Sequence, residues 1–296
     1  MKGFKPILAI MGFAAGLSTA AFAADNDWAP VAQALGRSGA QLPGGVYRVG
    51  LGRSDLKVTL DGVEIKPALA LGSYLAFQNT GSNGMVMGDL VLTHEEVKPV
   101  MKKLIDGGVE ITALHNHLLR SSPATMYMHF MGHGDPAELA AVLRAALAES
   151  KTPLAAPAPA GPAAAPDIDT AAIDQTLGAK GTVNGGVYQF NIPRVETITD
   201  GGAPIPIGMG SGIVINFQPT GNGKAAITGD FVLIASEVNS VLKTLRDGGI
   251  EVTALHSHML DEQPRLFFMH FWANDDAAKL AKGLKAALSK VKLAKN

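Results

Sequence analysis

The sequence contains no cysteine among its 296 residues. We therefore expect no disulfide bonds, no thiolate metal ligands and no lipid anchor on an N-terminal cysteine. Any metal site must use nitrogen or oxygen ligands. Without disulfides the fold must depend on its core, and 47% of the residues are hydrophobic, which is sufficient material.

The sequence also lacks a strong excess of charge and a long apolar segment. The formal net charge is -1, and no basic stripe is present, which argues against nucleic acid as a partner. The apolar stretch of residues 7–17 is too short for a bilayer, which needs about 20 residues. We expect no membrane insertion once the N-terminal segment has been removed.

That N-terminal segment is typical of a secretory signal peptide. Lys2 and Lys5 form its positive region, residues 7–17 its apolar core, and Ala21-Phe22-Ala23 an A-x-A cleavage motif. The pattern predicts a signal peptide over residues 1–23, cleaved near Ala23. The mature protein is then expected in the periplasm or secreted.

The remaining chain is a tandem duplication. Residues 44–47 and 185–188 both read Gly-Gly-Val-Tyr, residues 88–89 and 229–230 both read Gly-Asp, and most offsets are 141 residues. We assign a first repeat to residues 24–150 and a second to 168–296. Residues 151–167, rich in Ala and Pro, are predicted to be a semi-rigid linker.

Hydrophobic periodicity predicts the same elements in both repeats. A short helix is followed by strands of alternating pattern, then an amphipathic helix, a strand that carries histidines, a further strand and a closing helix. Thr93 and Glu96 suit a capping box, and Asp135 suits an N-cap before Pro136. The predicted fold class is α+β, as two tandem copies of a mainly antiparallel sheet domain with helices packed on it.

Six of the eight histidines lie in two clusters with identical spacing. Ala-Leu-His-x-His is followed eleven residues later by Met-His-Phe in each repeat. The candidate metal ligands are His115, His117 and His129 in the first repeat and His256, His258 and His270 in the second.

Strand geometry predicts that each set converges. Residues two apart on a strand share a face, so His115 and His117 point the same way. A hairpin centred on Pro123 would place His117 directly opposite His129. The equivalent hairpin centred on Pro264 would place His258 opposite His270. Three imidazoles on one sheet face resemble a tri-histidine zinc site.

Zinc is the first expectation for the divalent metal, and imidazole also suits copper and nickel. Asp89 and Asp230 follow glycine at equivalent positions and are candidates for orienting an imidazole, for a fourth ligand, or simply for turn residues. His133 shares strand parity with His129 and is a candidate extra ligand of the first repeat alone, because Asn274 replaces it in the second.

The Ala-Leu-His-Asn-His segment, the Met-His-Phe strand and the preceding Asp-Gly-Gly together resemble the LppY/LpqO-type family of exported bacterial proteins. The resemblance covers nearly all of the mature chain. It implies secretion and a duplicated domain of unassigned function, and it supplies no reaction. The family's namesakes are lipoproteins, whereas this chain lacks the lipidation cysteine.

Three functions are compatible with this sequence. The first is a periplasmic metal-binding protein with one tri-histidine site per repeat. The second is a metal-dependent hydrolase or lyase that uses a metal-bound water. The third is a non-catalytic envelope module that binds a small molecule or a partner through its histidines. The sequence does not decide whether the protein is an enzyme.

Overall fold

The computed structural model of the protein describes residues 27–80, 83–155 and 165–294. The predicted signal peptide lies outside these residues, as do residues 156–164 of the predicted linker. Residues 151–155 are described, and Thr152 is buried against the first repeat. No helix within the described ranges is both long and apolar enough to cross a membrane.

Seven α-helices occur in the described part of the chain. They are α1 (Ala29–Leu35), α2 (Pro67–Ala70), α3 (His94–Asp106), α4 (Pro136–Leu147), α5 (Thr170–Leu177), α6 (Val238–Asp247) and α7 (Ala277–Leu288). The cap predictions are confirmed. The Thr93 amide donates to Glu96 Oε2 at 2.9 Å, and the amides of Ala137 and Glu138 donate to Asp135 Oδ1.

The strands of the first repeat are β1 (Ala40–Leu42), β2 (Val46–Gly52), β3 (Val58–Leu60), β4 (Val63–Ile65), β5 (Gly72–Thr80), β6 (Asn83–Leu92), β7 (Glu110–His115) and β8 (Met126–Gly134). Those of the second are β9 (Thr182–Asn184), β10 (Val187–Ile192), β11 (Thr199–Asp200), β12 (Ala203–Pro204), β13 (Ile213–Gly221), β14 (Lys224–Leu233), β15 (Glu251–His256) and β16 (Phe267–Asp276).

Each repeat forms one six-stranded antiparallel sheet. The strand order is β1-β2-β5-β6-β8-β7 in the first repeat and β9-β10-β13-β14-β16-β15 in the second. One face of each sheet is apolar and is covered by that repeat's helices, as Leu75, Phe77 and Phe130 illustrate in the first repeat. The predicted α+β fold, as two tandem copies of an antiparallel sheet with packed helices, is confirmed.

The other faces of the two sheets meet each other. Val91 and Tyr127 from the first sheet share one buried apolar cluster with Ala226 and Trp272 from the second. The molecule is therefore layered as helices, sheet, sheet and helices. Since strand side chains alternate between faces, every second residue of a central strand points into the layer between the repeats.

Each repeat also lends a segment to the other. The first repeat's segment, β3 to α2, packs on the second sheet, where Asn216 Nδ2 and Gln218 Nε2 donate to the carbonyls of Leu69 and Glu64. The second repeat's segment includes a 3-10 helix, Ile207–Met209, and the Gly208 carbonyl accepts a 2.6 Å hydrogen bond from Arg48. These reciprocal contacts fix the two sheets against each other.

Candidate metal centre

The strand pairing differs from the predicted hairpin. Strand β7 pairs with β8 so that His129 lies opposite Ala113, whereas the sequence suggested His117 as its partner. The second repeat shows the same displacement, with His270 opposite Ala254. The prediction of hairpins centred on Pro123 and Pro264 was therefore wrong.

The cause is the path of the connecting segments. Ser122, in the segment between β7 and β8, forms two backbone hydrogen bonds with Thr59 of the lent segment. Gln263 does the same with Thr199. Each connection is thus held by another part of its own repeat, and β7 and β15 end at the first histidine of their His-x-His pair, His115 and His256.

A bulge also corrects the predicted alternation. The register of β7 against β8 shifts between Ile111 and Ala113, so Thr112 is an extra residue. Ile111 consequently packs with the helix-side core, while Ala113 lies opposite His129 on the other face. Strict alternation along β7 would instead place Ile111 on the same face as His115. Bulges are common where a side chain is re-aimed beside a functional site.

Despite the changed register, each trio of histidines is brought together. His115 lies two residues beyond Ala113, so it is the diagonal neighbour of His129 on the same face. The ring centroids of His115 and His117 are 4.7 Å apart, and those of His115 and His129 are 5.0 Å apart.

The two trios face each other across the layer between the sheets. Ring centroids of the first and second repeat are stacked at 3.5 Å for His115 and His256, at 3.4 Å for His117 and His270, and at 3.7 Å for His129 and His258. The sequence predicted one separate histidine site per repeat, because the pattern of one repeat does not specify how its sheet packs against the sheet of the other.

Two overlapping groups of four histidines could hold a metal ion. Within each group the candidate ligand nitrogens all lie within 4.8 Å of one another. Each group is one repeat's trio completed by a single histidine of the other repeat. The groups are His115, His117, His129 and His258, and His117, His256, His258 and His270.

Each of these six imidazoles has a buried ring nitrogen with no hydrogen-bond partner in the protein. It is Nε2 in all six, and in His115 Nδ1 as well. Buried polar atoms normally find a partner, so seven orphaned nitrogens at one place require an explanation. Imidazole nitrogens are good ligands for zinc and other transition metals, and a bound cation would satisfy those of one four-histidine group.

The protonation state of the cluster suits a cation. Burial, together with electrostatic repulsion from His256 and His270, lowers the pKa of His115 to about 2. Burial likewise lowers the pKa of His256 to about 4, and it holds the pKa of His117, His129 and His258 well below the ordinary value. These rings are neutral at pH 7, which is the form that ligates a metal.

Asp89 and Asp230 lie on the strands next to the third histidine of each trio. Asp89 is opposite His129, and Asp230 is opposite His270. Their carboxylate oxygens approach the rings to 3.8 Å and 2.5 Å respectively. Neither aspartate belongs to the four-histidine groups. Asp230 contacts Nδ1 of His270 and leaves Nε2 free, which suits a residue that orients an imidazole from outside the ligand set. The Asp89 oxygen is too far from Nε2 of His129 for a hydrogen bond.

The glycines before these aspartates are explained by packing. A Cβ on Gly88 would lie 2.4 Å from the Phe130 ring and from the Tyr74 carbonyl oxygen. A Cβ on Gly229 would lie 2.0 Å from the Val214 carbonyl oxygen. Only glycine lets the neighbouring strands approach this closely beside the histidines.

His133 lies apart from the cluster. It is exposed, near the end of β8 and opposite Met85. It belongs to neither four-histidine group. The methionines Met128 and Met269 face away from the histidines and are fully buried in the helix-side cores, as strand alternation indicates.

A cavity of about 780 Å³ opens beside the histidines, between the two sheets. Four of the six histidines line it, together with Asp89 and Asp230. Its walls also carry the polar side chains of Arg48, Tyr74, Asn184, Gln189, Asn191 and Asn216. A ligand in this cavity would contact the histidine cluster directly.

Sequence reasoning missed a second buried polar group in each repeat. Arg53 is completely buried and donates to both oxygens of Glu96, to Asp55 and to the Val91 carbonyl. In the second repeat, the Arg194 guanidinium contacts Glu237 and Glu196 in the same way. The signal was available, because these residues are related by the repeat offset.

Comparison with known proteins identifies the domain. The profile of a family described as "Domain of Unknown Function (DUF1259)" matches residues 29–149 and again residues 171–290. No curated protein matches the chain.

Two solved structures show weak likeness to the chain. A trimeric bacterial microcompartment shell protein, PduB, is 14% identical, with 82% of this chain and 87% of that chain covered and a TM-score of 0.19. EtuB from Clostridium kluyveri is 9% identical, with 86% and 90% covered and a TM-score of 0.21. At these TM-scores neither likeness indicates a common fold or function. By its two profile matches, the chain belongs to the DUF1259 family as a tandem pair of that domain.

Proposed function

We propose that this protein binds a divalent metal ion through the histidines at the interface of its repeats, in the periplasm or outside the cell. Zinc is the first candidate, and copper and nickel follow. The observation that carries the proposal is the set of six histidines with orphaned ring nitrogens, arranged in two groups that each draw on both repeats.

In this proposal each repeat supplies a tri-histidine set, and a histidine from the other repeat completes it. His117 and His258 belong to both groups, so two ions bound at once would lie a few ångströms apart. Two divalent cations about 5 Å apart repel by about 13 kcal/mol at an effective dielectric of about 20. One ion per chain is therefore the expected stoichiometry, unless an anion bridges two.

A metal-dependent hydrolase or lyase is the second candidate, and the adjoining cavity favours it. A bound ion there would act as a Lewis acid towards a molecule in the cavity. Asp230, in contact with Nδ1 of His270, would hold that ring in position. The polar cavity walls would orient the substrate.

Export and the narrower family assignment are also part of the proposal. The segment over residues 1–23 and the LppY/LpqO-type motifs support them. Intact mass of the protein recovered from the periplasm of an expressing bacterium is expected to begin near Ala24. An unprocessed N-terminus in the cytoplasm would contradict export.

Elemental analysis of the purified protein after zinc supplementation tests the metal site. We expect about one equivalent of zinc in the wild type, and its loss in the double variant H117A/H258A, because those histidines serve both groups. The double variant H94A/H133A is the matched control, since both of its histidines are exposed and outside the cluster. Wild-type protein that stays substoichiometric would refute the proposal.

A further inference from the structure

The cavity beside the histidines has walls of unequal charge. The first repeat contributes Arg48 at the end of its Gly-Gly-Val-Tyr motif, and the second repeat has Gln189 at the equivalent position. Gln189, Asn184 and Asn216 form a neutral amide network, with Nε2 of Gln189 3.1 Å from Oδ1 of Asn216. Away from the histidines, the wall from the second repeat is therefore polar and uncharged.

Arg48 is half-buried and has no carboxylate partner within 4.0 Å among the described residues. Its guanidinium stacks on the Tyr74 ring at 3.6 Å, and one nitrogen donates to the Gly208 carbonyl at 2.6 Å. These contacts fix the guanidinium plane at the cavity wall. The planar fork of an arginine matches the two oxygens of a carboxylate.

The acidic side chains of the cavity lie at its histidine end. Asp89 and Asp230 approach His129 and His270, and both line the same cavity as Arg48. A divalent ion on the histidines would offset these two carboxylates. The charge left over in the cavity would then be that of Arg48, which favours a small anion.

From this arrangement we infer that the cavity binds a small organic carboxylate, with its carboxylate on Arg48 and its remainder directed towards the histidine cluster. This ligand class deepens the proposed function and rests on it, because the bound metal ion is what offsets the carboxylates of Asp89 and Asp230. A volume of about 780 Å³ lies within the range of small-molecule sites. The amide wall would accept polar substituents of the ligand.

Isothermal titration calorimetry with succinate tests this inference, with succinamide as its neutral isostere. The titrated protein is the full mature chain, loaded with zinc and freed of excess metal. We expect saturable binding of succinate, and binding of succinamide at least tenfold weaker. The variant R48Q, which copies the second repeat, should weaken succinate binding about tenfold or more, as the loss of a charge-assisted pair predicts.

Two further variants make the result specific. R48K keeps the charge but loses the fork, so its affinity should fall between those of the wild type and R48Q. R246Q, at an exposed position on α6, should leave succinate affinity unchanged. Equal affinity for succinate and succinamide, or equal affinity of R48Q and wild type, would overturn the inference.

The same titrations separate this inference from the proposed function. Arg48-dependent succinate binding by a wild-type protein that holds no zinc would support the carboxylate site and refute the metal centre. A zinc-loaded protein that does not distinguish succinate from succinamide would support the metal centre and refute the carboxylate site.

Discussion

Removing the Glu96 carboxylate should destabilise the protein strongly, because it leaves a buried arginine charge without its main partner. Glu96 accepts hydrogen bonds from both terminal nitrogens of Arg53, at 2.7 and 3.1 Å, and from the amides of Thr93 and Lys151. It thus ties a buried cation to the start of α3 and to the chain that follows α4. The substitution E96A removes this carboxylate.

The magnitude follows from the burial of the pair. The Arg53 side chain is 0% exposed and that of Glu96 is 9% exposed. Breaking a buried pair by removing one partner typically costs about 3–5 kcal/mol. Asp55 remains beside Arg53 in the variant, which favours the lower end of that range. Since domains are stable by about 5–15 kcal/mol, the loss is a large fraction of the total.

Urea unfolding followed by circular dichroism measures this effect. E96A should shift the urea midpoint down by an amount equivalent to about 3 kcal/mol, with little change in slope. E237A should have a similar effect through Arg194 in the second repeat. E95A is the matched control, because Glu95 is the exposed neighbour of Glu96 and its loss should lower the midpoint much less. A loss below about 1 kcal/mol for E96A would refute the reasoning.

Three other outcomes are expected. Burial raises the pKa of Glu96, but hydrogen bonds from Arg53, Lys151 and Thr93 outweigh burial and lower that pKa below 4.5. The stability that the Glu96 carboxylate contributes is therefore present above about pH 4.5 and is lost as the pH falls through the lowered pKa. Between pH 6 and pH 3, the urea midpoint should fall less in E96Q than in wild type. Zinc at a hundredfold excess over its dissociation constant should add about 2.7 kcal/mol to the free energy of unfolding of the wild type. H94A/H133A should gain the same amount, and H117A/H258A should gain none. An unchanged thermal midpoint of the wild type on addition of zinc would argue against binding. G88A should cost about 1–3 kcal/mol by overpacking against Phe130, whereas G50A, where a Cβ meets nothing within 4 Å, should cost much less; equal urea midpoints would contradict the close-packing explanation.

The secondary structure was largely predictable because local signals agree with the final fold. The Thr93 and Asp135 caps form as the sequence indicates. The alternation of apolar residues in β2 matches its burial, and the mainly apolar β6 is buried along almost its whole length. Duplication strengthened each assignment, because both copies carried the same pattern.

The register of the histidine strands was not predictable from alternation alone. A single extra residue at Thr112 reverses which side chains before it face the histidines. The pairing of Ser122 with Thr59 depends on a segment more than 60 residues earlier in the chain. Both effects are non-local or one-residue events that periodicity does not record.

The contact between the two histidine sets could likewise not be predicted from the sequence. Each trio follows from strand parity within one repeat, but the stacking of His115 on His256 depends on how the sheets pack. The lent segments that fix this packing carry ordinary apolar residues, such as Leu69, and the amides that bind them, such as that of Gln218, lie on the opposite sheet. Their sequence gives no sign of which sheet they cover.

The central claim is that one metal centre is built jointly by both repeats. Anomalous diffraction at the zinc edge, from crystals of the zinc-loaded protein, tests it most directly. The account predicts a zinc peak between the sheets, with ligand nitrogens from both trios and with His117 or His258 bound across the interface. Zinc held by the histidines of a single repeat, or no zinc at the six histidines, would contradict it.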